Sequence, residues 1–162
     1  MGIEDAPQEV RDRIVDKQTK AHQVQVLIAA QKFIKALVAR AVVHDQSKFE
    51  EPEASLFNKY GPKLAKTTYG SDKYKQFLVE LKPALDHHYA ENRHHPEHFE
   101  NGINGMNLID LVEMFCDWAA ATLRHDDGDL AKSVQINSDR FGLSDQLTEI
   151  LKNSVSIFVG KD

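Results

Sequence analysis

Apolar residues in this chain recur at steps of three and four with no strand-like alternation visible, a spacing that points to helices. From Gln8 onward, Val24 to Leu27 is a step of three, while Val24 to Ile28 and Ile34 to Val38 are steps of four. Beyond Gln46 the pattern loosens around Pro52, Gly61, Pro62 and Gly70, a long connection with room for a short helix over Glu53 to Tyr60. Ser71-Asp72 can cap a helix through Tyr74, Phe77, Leu78 and Leu81, which Pro83 either kinks or replaces with a new one running towards His88. Asn92 to Gly105 reads as an ordered loop. Asn107 followed by Asp110 marks the start of the clearest helix, whose stripe is Leu108, Leu111, Val112, Phe115 and Trp118. Two more helices fit Leu130 to Asp139 and Ser144 to Phe158. The expected fold is all-α, a single domain over residues 1–162 with C-terminal helices at 130–158.

Composition narrows the function. At 162 residues, with 41% hydrophobic and 28% charged, the chain can bury a core without staples. Cys116 is the single cysteine, so a disulfide within the chain and a Cys-rich zinc site are both excluded, and any metal must be held by His, Asp and Glu. This points to the cytosol. A net charge of −5 argues against a nucleic-acid scaffold, which needs a dense basic face. No stretch approaches the length of a membrane span, the start Met1-Gly2-Ile3-Glu4-Asp5 is acidic, unlike a signal peptide, and Ala6 spoils a myristoylation pattern.

Histidine is where the sequence departs from the ordinary: five of its eight fall between His87 and His98. Two His pairs, His87-His88 and His94-His95, stand seven residues apart. Imidazoles crowded in this way repel one another once protonated, and a metal that holds them neutral removes the conflict. His44-Asp45 combines a neutral nitrogen with a carboxylate able to bridge two ions, which suits zinc, manganese, iron or cobalt. Read blandly, the same pair is a helix C-terminus whose histidine offsets the dipole. Asp110, Glu113 and Asp117 share one helix face opposite the apolar stripe. That face is either a solvated acidic edge or, at Asp117 between Cys116 and Trp118, a buried carboxylate in need of a partner. His125, beside Asp126 and Asp127, reads as a surface residue.

The ordered series His22, His44-Asp45, His88, His94-His95 and Asp117 resembles the signature of the HD-domain metal-dependent phosphohydrolases. The run His44-Asp45-Gln46-Ser47-Lys48 is similar to the His-Asp-x-Gly-Lys form of the cyclic-dinucleotide phosphodiesterase branch. Ser47 replaces its Gly, and the branch's Gly-Tyr-Pro run is absent, so cyclic-dinucleotide cleavage is not the activity expected. A closer resemblance, over about Ala21 to Trp118, is to small bacterial and phage proteins sharing His-Asp-x-Ser-Lys-Phe, the paired histidines and Val-Glu-Met-x-Cys-Asp-Trp. The resemblance implies a helical bundle with its metal site between helices. The implied ligands are His22, His44, Asp45, His88, His94, His95 and Asp117. It also implies one or two divalent ions per chain, from manganese, iron, zinc, cobalt and magnesium, and a phosphate-contacting role for Lys48.

His22 sets a geometric condition, because 22 residues of unbroken helix would hold it roughly 33 Å from His44. A turn around Lys35 to Arg40 is therefore expected, although no Gly or Pro marks one. Such a site permits hydrolysis of a nucleotide or another small phosphate ester by a water that the metal acidifies. Lys48, and more weakly Arg93, would contact the phosphate. Glu113 would orient a water or a histidine lying behind the metal's ligands, or form a salt bridge on an exposed face. The rivals are a nucleotide-sequestering protein with a structural metal and no turnover, and a metal-free helical interaction module.

Overall fold

The computed structural model describes residues 3–68, 71–124 and 128–159. His125 lies outside the described residues, as do Asp126, Asp127, Gly70 and the first two residues of the acidic start. The described residues form helices and turns with no strand, so the all-α expectation holds. No described helix is long and apolar enough to cross a membrane. The chain divides into two compact units, Met1–Ala39 and Arg40–Asp162.

The first unit is a short 3₁₀ turn, Ile3–Asp5, followed by most of helix α1 (Gln8–Val42), which has no buried residue. No turn interrupts α1 between Lys35 and Arg40. Six alanines and the absence of Gly or Pro between Pro7 and Pro52 give the backbone no reason to break. Surface pairs brace its first turns, including Arg13 with Glu9 at 2.7 Å and Gln8 with Asp12 at 2.8 Å.

In the second unit, a 3₁₀ turn at Gln46–Phe49 leads to α2 (Glu53–Ala65) and α3 (Asp72–Glu91). α2 outruns the short helix expected and continues through Gly61 and Pro62. Its apolar residues Leu56, Phe57, Tyr60 and Leu64 pack against Phe77, Leu81, Ala84 and Leu85 of α3, and this burial outweighs the roughly 3 kcal/mol that an internal proline costs. The same packing carries α3 through Pro83 as one helix, from its Ser71 cap, whose hydroxyl accepts the Tyr74 amide.

The segment 92–105 is ordered by 3₁₀ turns at Pro96–His98 and Gly102–Gly105. A Cβ on Gly105 would lie 2.7 Å from Phe99 Cβ, so this close approach needs glycine. α4 (Leu108–Thr122) starts with the expected cap, a reciprocal box in which Asn107 accepts from the Asp110 amide and Asp110 accepts from the Asn107 amide. α5 (Leu130–Phe141) ends at Gly142, whose φ of 62° is the left-handed conformation of a helix stop. α6 (Asp145–Ser154) is followed by the single turn α7 (Ser156–Val159), in place of one helix from Ser144 to Phe158. Met114, Phe115, Trp118 and Ala119 of α4 join Leu130, Val134 and Leu151 in the second apolar cluster.

Candidate metal centre

Local backbone chemistry delivers the site residues from three directions. After α1 ends at Val42, Asp45 takes a left-handed conformation, φ 58° and ψ 18°, one that short side chains such as Asp tolerate. His88 lies on the last turn of α3, whose cap Asn92 donates to the His88 carbonyl at 2.8 Å and to Ser47 Oγ at 2.7 Å. That side chain ties the end of α3 to the turn after Asp45. His94 and His95 follow at once, and α4 supplies Asp110, Glu113 and Asp117.

Four ligand atoms converge from Asp45, His88, His94 and His95, all within 4.8 Å of one another. His88 Nε2 is 3.3 Å from Asp45 Oδ1 and 3.0 Å from His95 Nε2, and His94 Nε2 is 3.5 Å from the same Asp45 oxygen. Donor atoms about 2.0–2.2 Å from a common ion, at angles between octahedral and tetrahedral, stand roughly 2.9–3.6 Å apart. The spacing fits one ion. Asp45 Oδ1 and both ring nitrogens of His94 are buried without a hydrogen-bond partner, a costly condition that a cation would relieve. These residues are therefore able to hold a divalent metal.

The second carboxylate oxygen of Asp45 faces another set. His44 Nε2 lies 3.6 Å from Asp45 Oδ2 and 3.6 Å from Asp117 Oδ1, while His44 Nδ1 donates to Glu113 Oε1 at 3.1 Å. Behind this set, Arg40 donates to Glu113 Oε2 at 2.5 Å and to Asp110 Oδ1 at 3.0 Å. Arg93 forks onto the same Asp110 through Nε at 3.0 Å and Nη2 at 2.8 Å.

Charge follows from these contacts. Asp117, then Glu113, push the His44 imidazole up to about 9. Burial works to raise Asp45, yet His88 and Lys48 beside it hold its carboxyl well below the usual range. Burial opposes the charge on Glu113 too, but His44 and His94 bring it down to about 2. Burial, reinforced by His94 and His88, pushes His95 down to about 3, which leaves its lone pair free to bind a metal.

Of the residues expected to act, His44, Asp45, His88, His94, His95 and Asp117 come together. Lys48 joins them, its ammonium paired with Asp45 Oδ2 and half exposed. His22 is exposed on α1, in the first unit. Arg93 is committed to Asp110 and stacked 4.8 Å from the centre of the Phe99 ring, so it has no free fork for a phosphate. Burial along α4 also differs from the expectation. Asp110 and Glu113 are buried and Asp117 only partly, because two arginines compensate the first pair.

Glu53 was not legible in the sequence. Fully buried at the start of α2, it accepts from His87 Nδ1 at 2.7 Å and His88 Nδ1 at 2.8 Å, one oxygen for each. In sequence it looks like any first-turn acid that favours a helix dipole. Arg40 was equally silent, as a basic residue in the last turn of α1.

The model of a family described as a family of unknown function, DUF5662, matches residues 12–157, a span that includes every residue of the centre. No curated protein and no solved structure matches the chain.

Proposed function

This chain belongs to DUF5662, a family of unknown function, and we propose that it is a metal-dependent phosphohydrolase acting on a nucleotide or another small phosphate ester. The observation that carries the reading is the convergence of Asp45 Oδ1 with three imidazole nitrogens, in which Asp45 Oδ1 and both ring nitrogens of His94 are buried without a hydrogen-bond partner. Three nitrogens and one oxygen favour manganese, iron, cobalt or zinc over magnesium, which prefers a shell of oxygens. A second group, His44, His94 and Glu113, also brings three ligand atoms within 4.8 Å of one another and shares His94 with the first.

A bound ion supplies Lewis acidity and lowers the pKa of a coordinated water. The protein's part is position and charge. His88, His94 and His95 present nitrogen lone pairs, and Glu113 holds His44 by its Nδ1 hydrogen so that Nε2 faces the two aspartates. Lys48 stands at the rim, where its ammonium can pass from Asp45 to a phosphate oxygen and offset the charge that develops there. Phe57 and Tyr89 line the same recess, whose volume is about 210 Å³. That is below the roughly 300 Å³ at which pockets begin to enclose whole ligands, so a phosphoryl group enters and the remainder of the ester lies over the rim.

The test is elemental analysis of untagged protein, followed by a phosphate-release screen over nucleotides and sugar phosphates. We expect bound transition metal, metal-dependent release of phosphate, and loss of both in Asp45→Asn. Metal without turnover on any ester would make the protein a binder. Equal metal content in wild type and Asp45→Asn would remove the site altogether.

A further inference from the structure

We propose that Glu53 is a positioning residue that fixes the tautomer of His88 and thereby sets the affinity of the centre for its ion; this rests on the metal reading above. A carboxylate only accepts hydrogen bonds, so the 2.8 Å contact between Glu53 Oε2 and His88 Nδ1 places the ring hydrogen on Nδ1. In the neutral ring the lone pair is then on Nε2, the atom that faces Asp45 Oδ1 and His95 Nε2. Without that assignment, His88 could carry its hydrogen on Nε2 and point it into the cluster, and the site would lose one of its four donors.

The rest of the neighbourhood holds Glu53 in place. Its side chain has no solvent exposure, and its other oxygen is taken by His87 Nδ1 at 2.7 Å. Asn92 Nδ2 also lies 3.1 Å from His88 Nδ1, but it donates at shorter range to Ser47 Oγ at 2.7 Å and to the His88 carbonyl at 2.8 Å, and Ser47 Oγ stands 3.4 Å from Nδ1. Glu53 makes the shortest of the three contacts and is the one carboxylate among the described residues that is paired with that nitrogen. His87 thus serves as a tether, holding one oxygen of Glu53 so that the other stays on His88. Anchoring of this kind raises ligand basicity and typically changes metal affinity about ten- to a hundred-fold.

Glu53→Gln keeps the shape but offers one acceptor and one donor, where two ring hydrogens now require two acceptors. Cobalt(II) titration of the metal-free full-length chain, followed by its visible absorption, measures affinity, and long-range ¹⁵N–¹H NMR of the imidazoles reads the tautomer without any metal. We expect Glu53→Gln to weaken cobalt binding about ten- to a hundred-fold, Glu53→Asp to recover part of it, and His88 in the wild type to carry its hydrogen on Nδ1. Circular dichroism identifies folded variants, and should Glu53→Gln fail to fold, Glu53→Asp and the wild-type tautomer decide the matter. Unchanged cobalt affinity in folded Glu53→Gln, or a wild-type His88 with Nδ1 unprotonated, overturns the proposal. A wild type that takes up no cobalt overturns the metal reading instead, while the NMR result still judges the tautomer.

Discussion

The two sides of α4 are buried to the same degree and held by opposite means. On one side Met114, Phe115, Trp118 and Ala119 pack against Leu130, Val134 and Leu151. On the other, Asp110 and Glu113 are shielded from water among Arg40, Arg93, His44 and His94. The apolar side is stabilised by area removed from water, a quantity many side chains can supply. The polar side depends on particular partners, each of which leaves a stranded charge if removed. A helix with such faces joins a replaceable foundation to an irreplaceable site.

The largest expected effect tests whether the two sides are independent. Trp118→Ala should destabilise the fold by about 3–5 kcal/mol, as truncation of a buried aromatic does, while the protein that remains folded keeps its full metal content. Denaturant unfolding and elemental analysis together check this. If Trp118→Ala empties the centre as thoroughly as Asp45→Asn, the contrast between the faces collapses.

Next in size is Asp110→Asn, which leaves two guanidiniums facing a neutral amide. A fully buried pair costs roughly 3–5 kcal/mol to break; because Arg40 and Arg93 keep some solvent, about 2–3 kcal/mol is expected. The pH dependence sharpens the point. Against a burial that works to raise it, Arg93 and the Asn107 amide hold the Asp110 carboxyl below its ordinary range. Its stabilisation is therefore complete above the unfolded value of about 3.9 and is lost as pH falls through the lower folded value. Urea midpoints measured from neutral pH downward should fall less steeply for Asp110→Asn than for wild type, and parallel curves would assign the acid sensitivity elsewhere.

Lys48→Ala should act on rate alone, slowing phosphate release by about 10² with metal content and melting temperature unchanged. A variant as fast as wild type on every substrate would take the lysine out of the mechanism. The smallest effect is expected at Ile136, exposed on α5: Ile136→Gln should alter stability by no more than about 0.5 kcal/mol, measured by the same unfolding experiment, and a larger loss would show that the apolar side extends further than the cluster behind α4.

How far the sequence could be read depended on the range of the interaction. Caps and periodicity are local, so Ser71, Asn107 with Asp110, and the stripe of α4 were visible, as were the paired histidines. Persistence of α2 beyond Gly61 and Pro62 was not, since it comes from contact with α3, twenty residues on in the case of Tyr60 and Glu80. The same holds for charge. Asp110 and Glu113 looked like a solvated edge because Arg40 and Arg93, which allow them to be buried, lie 70 and 17 residues from Asp110. Glu53 reaches His88 across 35 residues.

The positive φ at Asp45 constrains what this position can become by substitution. Two filters act there at once, one on the functional group and one on the torsion angle. Asparagine passes the second and fails the first, glycine likewise without even an oxygen, and glutamate keeps the charge but places it one methylene further out. Alanine fails both, adding about 1–2 kcal/mol of backbone strain to the loss of the carboxylate. An Asn, Gly and Ala series at this one site would therefore separate the worth of the oxygen from the worth of the bend, and no single variant can do so.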